Sequence, residues 1–570
     1  MFDTLPGHHE AAWDWTWENY KPYFENLMAR EITPVTLPQY MRDFSNFEAL
    51  LYDVYVRLEV QATRNTADAE VEKRYAAFLD QVFPPMLGAI NDLRKKLVAS
   101  GLQPEDFTVP IRNWRAQIDT FREANQPLIA EDNRIGTEYD KITGAQTVEW
   151  EGETVTLTRL LPVLQNPDRS LREKVWRLSA ARVLQDREAI GHVWVKLLEI
   201  RQQIGANAGM DYLSWIWQQK TRFDYSPQDC LHFHDAVEQT VTPALERLYV
   251  KRRQQLGVDT LRPWDLDVDP QNLPALKPFE TAQELTEKSS TVFHKVDPVL
   301  GGYFDYMRDH DLLDLENRPH KAPGGYMTSF LIDRHPFIFM NAVGVQRDLE
   351  TIMHEGGHAF HGFESRHLPY VQQTETPNEF GELAAMAMEL LSAPYWTQFY
   401  QPVDAARARS KHLEGILRIW VSVAVNDAFQ HWIYTHWEEA KDLDACDSKF
   451  VELRNRFFKG IDWSGLAAEH AGQWYRVPHF FKFPLYYIEY GLAQLGAVQV
   501  WANALTDQRQ AVADYRKALS YGGTRSVPEL FEAAGAKFAF DVATFQSAVN
   551  LIEKTMTALE THRLEKSESD

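Results

Sequence analysis

Cysteine is scarce in this sequence. The 570 residues include only two, Cys230 and Cys446. Two cysteines cannot build a disulfide framework or a cysteine-rich metal site. So low a count is typical of a reducing compartment, and we therefore expect the protein to be cytoplasmic.

Positive charge is also in short supply. Lys and Arg total 59 against 81 Asp and Glu, a net charge of −22. This balance argues against binding to nucleic acid or to an anionic membrane. The first residues, MFDTLPGHHEAAWDW, lack the basic and apolar regions of a signal peptide. No stretch approaches the run of about 18 apolar residues that would indicate a membrane span.

Helical patterns dominate what is present. Hydrophobic residues make up 44% of the chain, enough for a large core in two or more lobes. Apolar residues recur three and four positions apart in segments such as 51–65, 71–97, 193–205 and 415–434. The exceptions are 147–158, which predicts a β-hairpin around Glu151 and Gly152, and 323–341, which predicts turns and short strands. The sequence predicts a mainly α fold with a small β region.

The stretch HEGGH at 354–358 carries a specific chemical signal. Because a helical turn takes about 3.6 residues, His354 and His358 share one face and can reach the same metal ion. Glu355 lies about 100° around the helix, close enough to hydrogen-bond a water held by that ion. The arrangement is typical of zinc hydrolases. The alternative is a surface helix whose histidines align by chance.

Two glycines interrupt the interior of this helix. Gly356 and Gly357 each cost about 1 kcal/mol relative to alanine. We therefore expect a substrate or another backbone, such as a tightly crossing helix, to come close here. Apolar Leu349, Ile352 and Met353 upstream predict that one side of the helix is buried.

A catalytic zinc needs a third protein ligand. The metzincin pattern would place glycine three residues and histidine six residues after His358. Those positions hold His361 and Glu364, so that class is excluded. His361 itself is interpreted as a packed or exposed histidine rather than a ligand.

A glutamate from a following helix is the other common third ligand. Segment 374–391 offers four: Glu375, Glu379, Glu382 and Glu389. Thr376 as N-cap, Pro377 as first helical residue and Glu379 as capping-box partner would leave Glu375 outside the helix. Glu382 is then the predicted third ligand. Glu389, on the same face, is a candidate to accept the second N–H of a ligand histidine, or else a solvated or ion-paired glutamate.

Several segments resemble one family of zinc peptidases. HEGGHAFH (354–361) followed by EFGELAAMAMELL (379–391) resembles the oligoendopeptidase F and thimet oligopeptidase family, and within it the Pz-peptidase-like bacterial branch. Further segments that resemble the family are RQQIGANAGMDYLSW (201–215), PFIFMN (336–341) and RVPHFFKFPLYYIEYGLAQLGA (476–497). Together they extend over roughly residues 200 to 540.

The resemblance implies a large helical peptidase with two lobes around a deep channel that admits short peptides. It also implies one zinc ion per chain. We expect an N-terminal helical lobe at 1–200, containing the hairpin near 147–158, and a catalytic region at 201–570, integrated as one unit.

The segment 476–497 has a catalytic interpretation of its own. Pro484 is predicted to open a helix, with His479 in the loop before it and with Tyr486 and Tyr490 on one face. Peptide hydrolysis passes through an oxyanion, which phenol and imidazole donors stabilise. By resemblance, His479, Tyr486 and Tyr490 take this catalytic role, with Tyr487 less strongly indicated. An aromatic core stripe is the alternative, since 12% of the chain is aromatic.

The segment 336–341 resembles the family's edge strand beside the site. Such an edge binds an extended peptide through main-chain hydrogen bonds. A buried core strand is the alternative from sequence. Gly324 and Gly325 precede it, in a loop that either moves over bound peptide or forms an ordinary turn.

The sequence thus predicts a zinc-dependent endopeptidase of the gluzincin type, acting on oligopeptides. His354, His358 and Glu382 are the predicted ligands of one Zn²⁺, and Glu355 is the general base toward a zinc-activated water. A zinc amino- or carboxypeptidase is the first alternative. A non-catalytic helical protein that binds peptides is the second.

Overall fold

Helices account for most of the computed structural model, which describes residues 2–567. The N-terminal part contains six: α1 (Trp17–Ala29), α2 (Leu37–Arg64), α3 (Ala69–Gln81), α4 (Phe83–Ala99), α5 (Thr108–Thr120) and α6 (Gln126–Gly144). The predicted hairpin follows, with β1 (Thr147–Trp150) antiparallel to β2 (Glu153–Thr156). Glu151 and Gly152, at its turn, both have positive φ, as a two-residue hairpin turn requires.

Six helices and a three-stranded sheet form the middle of the chain. The helices are α7 (Arg169–Gln185), α8 (Arg187–Ala208), α9 (Tyr212–Gln219), α10 (Pro227–Leu256), α11 (Ala282–Val296) and α12 (Pro298–Asp309). The strands are β3 (Leu313–Glu316), β4 (Tyr326–Phe330) and β5 (His335–Ala342).

The rest of the described chain is helical. Its elements are α13 (Gln346–Ser365), α14 (Asn378–Ser392), α15 (Pro402–Thr435), α16 (Trp437–Ala440), α17 (Leu443–Phe457), α18 (Ala467–Ala471), α19 (Pro478–Lys482), α20 (Tyr487–Ala504), α21 (Gln508–Ser520), α22 (Val527–Ala533) and α23 (Val542–Ser567). The predicted mainly α fold with a small β region is confirmed. Within residues 2–567, no helix combines the length and apolar character needed to cross a bilayer.

The ends of the 30-residue helix α10 follow from its sequence. The side chains of Ser226 and Asp229 form a reciprocal capping box, and Pro227 occupies the first turn, where its missing N–H costs nothing. Gly257 ends the helix in the left-handed conformation, at φ 64°. The sequence thus sets both ends of α10, which packs against α15.

The buried side chains form two hydrophobic cores. The smaller core contains residues between Ala12 and Trp114, and the larger contains residues between Val60 and Leu559. Helix α2 contributes to both, because Leu58 belongs to the first and Val60 to the second. We propose residue 200 as the boundary between the N-terminal helical lobe and the catalytic region.

The segment 336–341 lies in β5, the middle strand of the sheet. β3 pairs with β5 in parallel and β4 pairs with it antiparallel, so the strand order is β3-β5-β4. The expectation of an edge strand at 336–341 is therefore wrong, and the core-strand alternative is correct. The apolar run from Phe337 to Met340 is buried, as in a strand covered on both faces. The edge strand in contact with α13 is β4, in the segment where a loop or turn was expected.

Candidate metal centre

His354, His358 and Glu382 come together where α13 crosses α14. One ligand atom from each lies within 4.8 Å of the other two. His354 Nε2 is 3.6 Å from Glu382 Oε2, and the two imidazole centroids are 4.9 Å apart. The structure therefore brings the three predicted metal ligands to one point.

Gly357 makes this crossing possible. A Cβ at this position would lie 2.6 Å from the Ala384 carbonyl oxygen and 2.6 Å from Ala385 Cα on α14. Real Cβ atoms do not approach backbone so closely, so α14 reaches α13 only because residue 357 lacks a side chain. The expected close approach at the paired glycines is thus a helix crossing, and it places Glu382 opposite the histidines.

Glu389 contacts His354 at the ring nitrogen that faces away from the cluster. Its Oε1 accepts a hydrogen bond of 2.7 Å from His354 Nδ1, and its Oε2 accepts one of 2.7 Å from His412 Nε2. Because a carboxylate only accepts, Nδ1 of His354 carries the hydrogen and Nε2 is directed at the cluster. The predicted contact of Glu389 with a ligand histidine is present. His412, on α15, was not among the sequence candidates, since it is 58 residues from His354 and belongs to no local motif.

The charges at the cluster are strongly coupled. Burial acts to lower the pKa of His354, but the hydrogen bond and charge of Glu389, with Glu382, raise it to about 9. Burial and the neighbouring His354 lower the pKa of His358 to about 3. Burial raises the pKa of Glu382 to about 7, against the opposing effect of His354. Without a metal ion, the cluster therefore carries its positive charge as a proton on His354, at the place where a cation would bind.

The donor set fits a zinc ion. Two imidazoles and one carboxylate form a zinc set that leaves a position open for substrate or water. Glu382 Oε2 is buried and has no hydrogen-bond partner among the described residues. A buried carboxylate oxygen without a partner is costly, and a cation at this point would satisfy it.

Glu355 is close to the cluster but is held separately. Its carboxylate is buried and accepts the backbone N–H of Met327 on β4. Burial raises the pKa of Glu355, while His354 and the Met327 N–H oppose that rise. A buried carboxylate with a raised pKa is suited to accept a proton.

His479 and three tyrosines approach the cluster from the other side. Tyr486 donates a hydrogen bond to Glu382 Oε1 at 3.3 Å, and its ring lies 5.0 Å from that of Tyr490. The His479 ring is 6.0 Å from Tyr486 and 6.1 Å from Tyr490, and its Nδ1 is buried without a hydrogen-bond partner in the described chain. Tyr487 packs on His479 at 4.6 Å.

The predicted helix start at Pro484 is wrong. Helix α20 begins at Tyr487, with Tyr486 as its N-cap, and His479 lies in the short helix α19 rather than in a loop. The reason is Leu485, whose φ of 56° cannot continue a helix. Its N–H donates to the buried Gln430 side chain instead. Tyr486 and Tyr490 still share one face.

The predicted capping box before α14 is also wrong. The helix begins at Asn378 with Pro377 as its N-cap, and Thr376 lies 3.2 Å from His361 Nε2. Glu379 is buried, where it accepts a 2.6 Å hydrogen bond from the Tyr225 hydroxyl and lies 3.7 Å from Arg222 Nε. A tertiary ion pair therefore replaces the local cap. His361 is a buried, hydrogen-bonded histidine, as expected.

Two cavities meet at the cluster. One of about 1010 Å³ is lined by His354, Glu382 and Tyr490, with walls from α10, α15 and α23. The other, of about 260 Å³, is lined by His358, Glu382 and Met327. Glu382 faces both, so the cluster lies between the two cavities.

The sequence is similar to a known peptidase family and to several of its members. A model of Peptidase family M3 matches residues 163–550. Oligopeptidase PepF of Bacillus subtilis is 22% identical over 325 residues, covering 56% of this chain and 47% of that protein. The oligoendopeptidase F homolog of Lactococcus lactis is 23% identical over 339 residues, covering 57% of this chain and 53% of that protein. The chain matches about half the length of these relatives.

Solved structures share the fold along nearly the whole chain. A structure of Pz peptidase A with an inhibitor has a TM-score of 0.87 at 24% identity, covering 98% of this chain and 99% of that one. Oligoendopeptidase F from Enterococcus faecium has a TM-score of 0.60 at 16% identity, covering 96% and 98%. The family match covers more than half of the chain and includes α13, α14 and the tyrosine segment. The chain therefore belongs to peptidase family M3.

Proposed function

We propose that the chain is a zinc-dependent endopeptidase of the gluzincin type that hydrolyses internal bonds of short peptides. The observation that carries this proposal is the convergence of His354, His358 and Glu382, with Glu355 beside them, between two cavities. The names of the relatives, oligopeptidase and oligoendopeptidase, support it. The two free, buried cysteines fit the expected cytoplasmic setting.

His354, His358 and Glu382 would hold the zinc ion, and Glu389 would keep His354 oriented. When bound, zinc supplies a Lewis acid that polarises the scissile carbonyl and lowers the pKa of water toward about 7. The remaining chemistry falls to side chains of this chain.

Glu355 moves the proton. Its carboxylate takes a proton from the water that attacks the scissile carbonyl carbon. It then delivers that proton to the leaving amine nitrogen as the C–N bond breaks. The hydrogen bond from the Met327 N–H keeps the carboxylate in place between the helix and β4.

The tyrosine group stabilises negative charge on the substrate. Tyr486 donates toward Glu382 in the structure, so its hydroxyl is already directed at the cluster. With Tyr490 and His479 it supplies donors for the developing oxyanion, each worth a few kcal/mol in the transition state.

Strand β4 supplies a place for the substrate backbone. It pairs with β5 on one side, and the N–H of Met327 points away from β5 to Glu355. A peptide laid along this edge would pair through main-chain groups with little demand on its side chains. This suits an enzyme that accepts many sequences.

The test is hydrolysis of an internally quenched peptide blocked at both ends. We expect internal cleavage that a chelator abolishes and that added zinc restores. An exopeptidase would leave the blocked peptide intact, and a non-catalytic binding protein would hold zinc without cleaving any peptide.

Glu355→Gln tests the proton-transfer role in the same assay. We expect kcat to fall by about 10²–10⁴-fold with zinc content unchanged, because the amide cannot accept the proton. Glu364→Gln, on the same helix and paired with Arg516, is the control. Near-normal turnover by Glu355→Gln would contradict the assignment.

A further inference from the structure

A second cluster of potential metal ligands lies between α10 and α15. Cys230 and His234 are four residues apart on α10, and Asp427 and His431 are four apart on α15, so each pair shares one helix face. All four side chains are buried. The cluster is separate from the centre on α13, because Asp427 lies 15 residues beyond His412 along α15, roughly 22 Å of helix.

The geometry is close to that of a metal site. One ligand atom from each of Cys230, Asp427 and His431 lies within 4.8 Å of the other two. Ligand atoms around tetrahedral zinc are roughly 3.3 to 3.8 Å apart, so shifts of about 1 Å would bring these three atoms to the spacing of three corners of a zinc tetrahedron. His234 Nε2 lies 2.8 Å from Asp427 Oδ2. An imidazole in that position orients a ligand carboxylate.

Two buried polar atoms indicate that something belongs between these side chains. Asp427 Oδ1 and His431 Nε2 have no hydrogen-bond partner within residues 2–567. His431 Nε2 lies 3.3 Å from Asp427 Oδ2 in an ion-pair contact that, with His234, lowers the pKa of Asp427, although its angles are not those of a hydrogen bond. Leaving such groups unpaired in the interior of a protein is costly. A cation at this point would satisfy both atoms.

A divalent cation would balance the charge of the cluster once it displaces the thiol proton of Cys230, whose pKa burial and the charge of Asp427 raise well above its usual value. A Cys230 thiolate and the Asp427 carboxylate together match the charge of one divalent ion, so the occupied site is neutral overall. Arg222 is a buried cation that interacts with Cys230. It is paired with Glu489 and lies 3.7 Å from Glu379, so its charge is already balanced.

We propose that Cys230, Asp427 and His431 bind a second metal ion, with His234 orienting the carboxylate. Thiolate, imidazole and carboxylate together suit zinc. The burial of all four residues leaves no access for a peptide, so the ion is structural and joins α10 to α15. A second ion exceeds the one zinc per chain that the family resemblance implies.

The test uses sulfur as the marker. The full-length protein is saturated with zinc, dialysed to remove weakly held ions, and examined by metal analysis and zinc X-ray absorption spectroscopy. We expect two zinc ions per chain and a zinc–sulfur distance of about 2.3 Å. The centre on α13 cannot supply this signal, because His354, His358 and Glu382 contain no sulfur.

The two cysteines supply a matched pair of variants. Cys446→Ser removes a thiol that donates to the Ala440 carbonyl, and we expect the zinc–sulfur signal to remain. Cys230→Ser should lose the signal and one zinc. If Cys230→Ser does not fold, Cys446→Ser decides alone, because Cys230 is then the only cysteine. A zinc-saturated wild-type protein without zinc–sulfur scattering, or a signal that persists in Cys230→Ser, overturns the proposal.

His358→Ala separates this inference from the proposed function. We expect it to lose one zinc and peptide cleavage while it keeps the sulfur signal. Sulfur-bound zinc in a wild-type protein that cleaves no peptide would refute the peptidase proposal and leave the second site standing.

Discussion

Neighbouring glutamates on α14 differ in what they contact. Glu382 faces the histidines of α13 and leaves one oxygen without a partner in the described chain, whereas Glu379 is buried with Tyr225 and Arg222. Glu382 Oε2 is therefore available to a cation, whereas the carboxylate of Glu379 already lies beside the cationic side chain of Arg222. Two glutamates three residues apart on one helix thus have different roles: Glu382 is positioned for metal binding and Glu379 stabilises the fold.

Alanine variants of these two glutamates should fail in different ways. We expect Glu382→Ala to weaken zinc binding by more than about 100-fold, since losing a partner behind a ligand already costs about 10–100-fold. Glu379→Ala should keep zinc but lose about 1–3 kcal/mol of unfolding free energy, because it leaves the buried Tyr225 hydroxyl without its acceptor while Arg222 keeps its pair with Glu489. Competition with a chelating dye and thermal denaturation measure the two effects. Equal zinc affinity in both variants would rule out Glu382 as the ligand.

Zinc binding should release protons. Metal-free His354 is protonated below its raised pKa of about 9, and zinc requires the neutral ring. Release of the His354 proton should contribute about a tenfold rise in apparent affinity per pH unit between about 7 and 9, and nothing above. Calorimetry at pH 8 in buffers of different ionisation enthalpy counts the protons. The wild-type count should include this proton besides the one that zinc-bound water loses, and it should be lower in Glu389→Gln, whose amide no longer supports the charged ring.

Residue spacing predicted the shared face of His354 and His358 with Glu355 beside them, because helical periodicity places them. Glu382 was selected among four glutamates with the help of a capping box that the structure does not contain. Residue spacing could not reveal His412, which reaches Glu389 from a distant helix. It also assigned Thr376 and Glu379 to a local cap, when His361 and Arg222 engage them through the tertiary fold. A predicted local contact, such as a helix cap, does not form where a buried residue distant in sequence makes a stronger contact with the same side chain.

At the scale of elements, the centre depends on how closely α13 and α14 approach. The helices meet at Gly357, and the hydrogen bond from Met327 to Glu355 joins β4 to the same helix. The order of the strands was not predictable from the apolar run at 336–341, because an edge strand and a central strand share that pattern. The position of β5 in the sheet depends on the strands that pair with it, β3 and β4, and these lie outside the apolar run.

Gly357→Ala should open this crossing. Its Cβ would lie 2.6 Å from the Ala384 carbonyl oxygen, and overpacking of this kind costs about 1–3 kcal/mol. We expect a lower melting temperature and weaker zinc binding. Gly362→Ala on the same helix is the control, since its Cβ would meet nothing nearer than 3.6 Å. The control should gain up to about 1 kcal/mol from helix propensity. A stable, zinc-tight Gly357→Ala protein would show that the crossing does not limit the site.

At the scale of the whole molecule, helices line the larger cavity beside the candidate metal centre. The larger cavity of about 1010 Å³ is bounded by α10, α15 and α23, and ion pairs such as Arg247–Glu553 connect α10 to α23 across it. Composition predicted a large helical chain, and the family resemblance supplied the expectation of an enclosed channel. Periodicity alone does not say how helices are arranged around a space, because it reports only which face of each helix is buried.

Enclosure should select substrates by size. We expect a short quenched peptide to be cleaved, and the same sequence in a surface loop of a folded protein to be cleaved at least about 100-fold more slowly, since misplacement by ~1 Å alone costs that much. Unfolding the carrier protein should restore cleavage at the same bond. Equal rates for the peptide and the folded carrier would show that the cavity does not limit access.

Strand β4 has a further consequence for how the protein behaves at high concentration. An unpaired strand edge normally recruits strands from other molecules, which is a route to aggregation. Here Met327 and Ser329 of that edge line a cavity of about 260 Å³ shared with His358. We expect such a space to admit a narrow peptide but not a strand that is embedded in another folded copy. We therefore expect the edge to remain available for a peptide without serving as a route to polymerisation.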